Sequence, residues 1–265
     1  MVCKVRRDGG LDSRWHVACT SDEEPVYNDE QQLYRPGNNF IEDGSLVIEA
    51  RELADGTITS GRLEGWRFPA INTGDHIEIV LDAPSGLGTW AAAWLEPRNQ
   101  HITDVLAQTQ MINWETDYTY DGEADAEFYG HMSNRVEGTV WTRENMDAPT
   151  EGYADVADMS TTPHVYGIDL FDDGVVVSVD GEAVVTYPKP ENATAANWAY
   201  VPENTYNFVA NLAVGGDGGR KIVRSAGDDW RLNIQRITFK PDVNTTMAAS
   251  GIIGVQEAIP ETIRG

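Results

Sequence analysis

The chain has 265 residues, and its 43 acidic and 19 basic side chains give it a formal net charge of −24. A negative field of this size repels phosphate backbones and anionic lipid faces, which argues against nucleic acid and membranes as partners. The hydrophobic fraction of 41% excludes a disordered chain, and no apolar run is long enough to span a bilayer. Such an acidic surface suits either a saline (halophilic) environment or an ordinary acidic secreted enzyme.

Short stretches of alternating apolar and polar residues recur along the chain between turn residues. The clearest are residues 45–50, 76–81, 174–179 and 206–211. A period of two is typical of strands with one buried face. Hairpin turns are expected at four Asp-Gly pairs, because glycine adopts the positive φ that such turns require. These pairs are 43–44, 55–56, 173–174 and 180–181.

Helical periodicity is not sustained anywhere, and its best trace is a weak pattern from Thr103 to Met111. With 25 glycines and 12 prolines, the sequence predicts an all-β fold, a two-sheet antiparallel β-sandwich. We expect one domain over residues 1–243. Residues 244–265 have no aromatic residue and no alternation, and are expected to form a tail or linker. Cys3 and Cys19 either form one bridge or stay free, and neither has metal-site spacing.

Three acidic residues alternate within one candidate strand, residues 121–130. In an extended segment Glu123, Asp125 and Glu127 project from one face. Like charges at this spacing raise at least one pKa, which is unfavourable in an ordinary sheet. Retaining glycosidases need two nearby carboxyl groups, one as nucleophile and one as acid/base. An acidic solvent face or a calcium loop would give the same pattern.

The triplet and its flanks resemble the family 16 glycoside hydrolases, endo-glucanases with a concanavalin A-like jelly-roll fold. The family signature is Glu-x-Asp-x-Glu, and six further segments resemble family strands in order. They are residues 28–34, 43–50, 59–63, 88–95, 164–166 followed by 179–181, and 211–216, the last typical of laminarinases. The resemblance runs from about Asn28 to Phe239. Ala91 stands where the family has a proline, and the tryptophan that precedes the catalytic Gly-Glu is missing.

The resemblance implies a role for each acid. Glu123 would be the nucleophile, Glu127 would protonate the leaving oxygen and later activate water, and Asp125 would tune both. The outcome would be retention at the anomeric carbon.

Sugar rings present flat C–H faces and hydroxyls, so a cleft for a neutral polymer needs aromatic platforms and polar donors. Trp90 and Trp94 share a strand face, and we place Trp94 in the cleft. Arg62 and Asn211 occupy positions that bind substrate in relatives. Glu30 and Gln32 are candidates for the far end of the groove, together with Asn28. The other candidates are Tyr118, Tyr120 and Trp141.

The resemblance implies a secreted, monomeric endo-β-1,3(4)-glucanase that requires no cofactor, although residues 1–20 have no apolar run of the kind found in a secretory signal. A structural calcium near Gly44 is left open, because Asn233 stands where the family uses an aspartate. Two alternatives are a hydrolase of marine galactans such as agar or carrageenan, and a non-catalytic carbohydrate-binding protein.

Overall fold

The computed structural model of the chain describes residues 11–20, 27–85, 88–98, 112–117, 135–140, 150–156, 159–193, 200, 204–216, 229–241 and 261–263. The strands are β1 His16–Val17, β2 Gln32–Tyr34, β3 Asn39–Glu42, β4 Ser45–Glu49, β5 Arg51–Glu52, β6 Ile58–Ser60, β7 Arg62–Glu64, β8 His76–Asp82, β9 Thr89–Pro97, β10 Ile112–Asp117, β11 Arg135–Val140, β12 Thr150–Asp155, β13 His164–Phe171, β14 Gly174–Val179, β15 Glu182–Pro188, β16 Tyr206–Val214, β17 Arg231–Lys240 and β18 Glu261–Ile263. Two short 3₁₀ turns cover Tyr27–Asp29 and Pro36–Asn38.

The strands form two large antiparallel sheets and one small sheet. The seven-stranded sheet has the order β1-β7-β16-β9-β10-β11-β12. The eight-stranded sheet has the order β15-β14-β13-β8-β17-β4-β3, and β18 pairs with β17. The small sheet, β2-β6-β5, carries the parallel pairing of β2 with β6. This architecture confirms the predicted all-β sandwich, and β18 joins the end of the expected tail to the eight-stranded sheet.

The core lies between the two large sheets, and alternation along the strands fills it. On β8, Ile77, Ile79 and Leu81 are fully buried, while the residues between them are only partly buried. On β9 it is Ala91, Ala93 and Leu95 that are fully buried. The opposite face of β9 therefore points away from the core. We call this side of the seven-stranded sheet the outer face.

The expected hairpin turns are present, with one shift in position. Asp43 and Gly44 both have positive φ between β3 and β4, as do Asp180 and Gly181 between β14 and β15. These are the conformations that two-residue hairpins favour. The third hairpin turns one residue earlier than predicted, because Phe171 pairs directly with Gly174, the first residue of β14.

The state of the cysteines and the lengths of the helices complete the description of the fold. Cys19 is disulfide-bonded, and Cys3 is the other cysteine of the sequence. The described part of the chain contains no helix long and apolar enough to cross a bilayer.

Candidate active site

Three adjacent strands bring Arg62, Asn211 and Trp94 together on the outer face. Arg62 on β7 pairs with Asn211 on β16, and Asn211 pairs with Ala92 on β9, two residues from Trp94. Directly opposed residues of antiparallel strands project to the same side. On each strand an adjacent residue in sequence, such as Leu63, Ala93 or Leu212, belongs to the core. The side chains of Arg62, Trp94 and Asn211 therefore share the face that is turned away from the core.

A chain of hydrogen bonds runs from Trp94 across this face to the N-terminal segment. The indole N–H of Trp94 donates to Oδ1 of Asn211 at 2.8 Å. The Asn211 amide donates to the Tyr34 hydroxyl at 3.4 Å, and that hydroxyl donates to Glu30 Oε2 at 3.1 Å. An indole that is held by such a bond is orientationally fixed before any ligand arrives.

Arg62 connects the tryptophan to two carboxylates. Its guanidinium carbon lies 5.0 Å from the centre of the Trp94 ring, within cation–π range. Its Nε donates to Glu64 at 2.7 Å and its Nη2 to Glu96 at 3.4 Å. The positive charge of Arg62 is therefore matched by two negative ones, so this side chain adds no net positive charge to the described part of the face.

Burial perturbs the acidic groups of this face. Desolvation raises the pKa of Glu30 above its ordinary value, although hydrogen bonds from Gln32 and Tyr34 partly oppose the shift. Desolvation likewise raises the pKa of Glu96, and the neighbouring Glu64 carboxylate adds to it. The pKa of Tyr34 is also raised, mainly by burial, so its hydroxyl stays protonated as a donor.

Two glycines allow the N-terminal segment to approach β16. Gly215 forms a bridge to Glu30, and Gly216 has a φ of +75°. A Cβ at Gly216 would lie 2.4 Å from the backbone oxygen of Asn28, so only glycine fits without displacing that segment. The segment at 28–34 and the segment at 211–216, which resemble the family separately in sequence, are therefore in contact.

The structure places the described candidates as follows. Trp90 and Trp94 are both partly exposed on the outer face, which excludes a core role for either. Asn28 is exposed, with left-handed backbone geometry. Gln32 is completely buried and accepts a bond from the Val214 N–H at 2.7 Å, so its expected place in the groove is wrong: it ties β2 to β16 instead.

Five side chains of this network were not predicted: His16, Tyr34, Glu64, Trp66 and Glu96. Nδ1 of His16 lies 2.9 Å from Glu64 Oε2, and the Trp66 indole donates to Glu96 Oε1 at 2.9 Å. Glu64 and Glu96 each lie two residues after a predicted site residue, Arg62 and Trp94, on the same strand. The period of two could therefore have indicated both carboxylates. His16 and Trp66 carry no local signal, because β1 is only two residues long and Trp66 lies beyond the end of β7.

The predicted catalytic residues Glu123, Asp125 and Glu127 lie outside the described residues, as do Tyr118, Tyr120 and Trp141. The strand between β9 and β11 is β10, in which Glu115 is the backbone partner of Ala92 and of Glu137. Residues 112–117 thus contribute a strand to the sheet, in a segment with β-prone Ile, Trp and Thr.

The residues near Asn233 do not fit a calcium ion. Its amide nitrogen donates to the Asp82 carboxylate at 2.7 Å, which uses one of the oxygens that a cation would need. Within the described ranges no three acidic, histidine or cysteine side chains are grouped as metal ligands. Calcium prefers six to eight oxygen ligands, and this pair supplies few of them.

Partly exposed tryptophans, an arginine and an amide lie side by side on one face of a β-sandwich, which is the arrangement expected of a carbohydrate-active protein of the jelly-roll class. The sequence model of glycosyl hydrolases family 16 matches residues 42–231. The chain belongs to this family: it is a glycoside hydrolase, and it is similar to endo-β-glucanases.

Similar proteins agree with this placement. A beta-glucanase from Rhodothermus marinus is 32% identical over 204 residues, which are 72% of this chain and 67% of the relative. The chain spans about a third of a second relative, the clotting factor G alpha subunit of Tachypleus tridentatus, at 24% identity. The catalytic domain of an endo-1,3-beta-glucanase (laminarinase) from Thermotoga petrophila superposes with a TM-score of 0.72 at 26% identity, covering 88% of this chain and 94% of that domain.

Proposed function

We propose that the chain is a retaining endo-glycosidase that hydrolyses β-1,3 or mixed β-1,3/1,4-glucan by double displacement. The observation that carries this proposal is the fixed Trp94 platform, flanked by Arg62 and Asn211 on the outer face. An aromatic ring receives the C–H face of a sugar, and the adjacent donors bond its hydroxyls. The names of the relatives, beta-glucanase and laminarinase, support the substrate class.

The charge of the outer face favours a neutral polymer. Arg62 is paired with Glu64 and Glu96, so its guanidinium offers no excess positive charge. A sulfated galactan would need uncompensated cations in the groove, and here it would meet carboxylates instead. A neutral glucan therefore suits this face better than carrageenan does.

In the proposed reaction, Glu123 attacks the anomeric carbon while Glu127 protonates the leaving oxygen. Water activated by Glu127 then releases the sugar from Glu123, with net retention. Asp125, between them, would hold Glu127 protonated at the start of the cycle. Trp94, Arg62 and Asn211 would bind and orient the chain that is cleaved.

The test is a reducing-end assay on laminarin, lichenan, agarose and carrageenan, with NMR of the first product anomer. We expect cleavage of laminarin or lichenan with the β-anomer appearing first. Release of the α-anomer would contradict double displacement. Sugar binding without product would favour the non-catalytic alternative, and cleavage of agarose or carrageenan alone would favour the galactanase. Secretion and a monomeric state stay predictions.

A further inference from the structure

Trp66 is an exposed aromatic residue that is held in a fixed orientation. It follows β7 by two residues, and 44% of its surface is exposed. Its ring stacks on the His16 imidazole, with centroids 4.3 Å apart and planes 2° from parallel. Its indole N–H donates to Glu96 Oε1 at 2.9 Å. A ring fixed on two sides loses little conformational freedom when a ligand packs on it.

This ring is continuous with the Trp94 site. The Glu96 carboxylate accepts the indole N–H of Trp66 and also pairs with Arg62, whose guanidinium lies near Trp94. Strand β7 is two strands away from β9, which separates the two positions by about 10 Å across the sheet. The Gly65 N–H donates to the Phe208 carbonyl at 2.8 Å, which fixes the chain leading to Trp66 against β16.

The chemistry around Trp66 suits a sugar ring. The indole offers an apolar surface for a C–H face, and the Glu96 carboxylate lies beside it as an acceptor for hydroxyls. The buried Glu64 carboxylate fixes the other side of the platform, because its Oε2 lies 2.9 Å from Nδ1 of His16. An aromatic platform bordered by acceptors resembles the Trp94 site in its composition.

We propose that Trp66 and His16 form an additional sugar-binding subsite at the β1–β7 edge of the outer face. It holds a glucosyl residue of a long β-glucan chain, beyond the residues that contact Trp94. This inference rests on the proposed glucanase function and extends the same cleft. If Trp66 only positioned Glu96 and Arg62, replacing it would instead lower kcat/KM equally for substrates of every length.

The experiment compares kcat/KM on laminarin and on β-1,3-glucan oligosaccharides of increasing length. For Trp66→Ala we expect a loss of about three- to tenfold on laminarin and the longest oligosaccharides, and little change on the shortest, since a single aromatic contact contributes about this much. Trp66→Phe keeps the ring and should retain most of the activity on long chains. Val165→Ala, an exposed apolar residue on the eight-stranded sheet, is the control and should change neither.

The outcomes separate the subsite from the function. An active parent whose Trp66→Ala variant loses equally on all lengths, or loses nothing, contradicts the subsite alone. A parent that cleaves no glucan contradicts the proposed function. Electrophoresis in laminarin-containing gels then decides on the subsite: retardation of the parent that Trp66→Ala weakens supports it, and equal migration of the two proteins overturns it.

Discussion

The guanidinium carbon of Arg62 lies 5.0 Å from the centre of the Trp94 ring, and the same guanidinium bonds Glu64 and Glu96. One cation thus holds two carboxylates beside an aromatic platform. Without it, partly buried negative charges would repel each other across β7 and β9. Arg62 therefore helps to hold Glu64 and Glu96 in place beside the Trp94 ring.

Replacing Arg62 should impair both catalysis and folding. We expect Arg62→Ala to lower kcat/KM on glucan by about 10- to 100-fold, because hydrogen bonds to charged groups contribute about 1.5–3 kcal/mol. Its Tm should fall as well, since Glu64 and Glu96 lose their counter-charge. Arg67→Ala, an exposed arginine that follows Trp66, is the matched control. Equal activity of the two variants would contradict this role for Arg62.

The bond between Trp94 and Asn211 can be tested with a double-mutant cycle. Trp94→Phe keeps an aromatic ring but removes the N–H, and Asn211→Ala removes the acceptor. If the 2.8 Å bond orients the ring, the two changes couple by about 0.5–1.5 kcal/mol in the free energy of unfolding measured in urea. Additive losses would mean that the bond contributes nothing of its own.

The pH dependence of stability should report the burial of Glu30. Burial raises the pKa of Glu30 in the folded protein, so the folded state binds more protons than the unfolded chain. The stability that the protonated Glu30 contributes is therefore lost as the pH rises through the folded pKa. Glu30→Gln cannot ionise. Its Tm should therefore improve relative to the parent between about pH 4 and pH 7.

Asp12 provides a control of opposite sign. The hydrogen bond from the Arg14 side chain holds the pKa of Asp12 below its ordinary value, although some burial opposes it. The ionised Asp12 carboxylate therefore stabilises the folded protein above the pKa that Asp12 has in the unfolded chain, and this stabilisation is lost as the pH falls. Asp12→Asn should thus lose Tm relative to the parent at neutral pH and recover in acid. The same trend in both variants would contradict the assignment for Glu30.

Calcium should matter only after one substitution. Chelation by EDTA is expected to leave the Tm of the parent unchanged, because Asn233 donates to Asp82. Asn233→Asp places two carboxylates side by side, which should lower the Tm in EDTA and make it rise with added calcium. A fall in the Tm of the parent in EDTA would contradict this reading of Asn233.

Much of the fold could be predicted because its strands alternate clearly. The alternating patterns predicted the ends of β8 and β14 to within one residue. The Asp43-Gly44 pair likewise predicted a hairpin turn with positive φ, which the structure has. The contact of Gly216 with the Asn28 backbone could not be read in advance, because it joins segments nearly 190 residues apart. The same holds for β18, whose residues show no alternation but pair with β17.

In the candidate site, the family resemblance indicated Arg62 and Asn211 and the need for an aromatic platform indicated Trp94, but neither indicated the network behind them. Gln32 was expected in the groove because it is polar, yet its side chain satisfies the Val214 N–H in the interior. A buried backbone donor needs a partner, and sequence does not reveal which one will face it. His16 and Trp66 lie on different segments, 50 residues apart, so only the folded sheet brings them together.

The most direct test measures glucan hydrolysis by Glu123→Gln and Glu127→Gln beside the parent. Glu182→Gln, an exposed carboxylate at the start of β15, serves as the control, and Glu115→Gln tests the strand that lies beside β9. We expect Glu123→Gln and Glu127→Gln each to abolish turnover with the parent's Tm retained, and the control to match the parent. Parent-like hydrolysis by both variants, above all with loss in Glu115→Gln, would contradict the assignment of the catalytic acids.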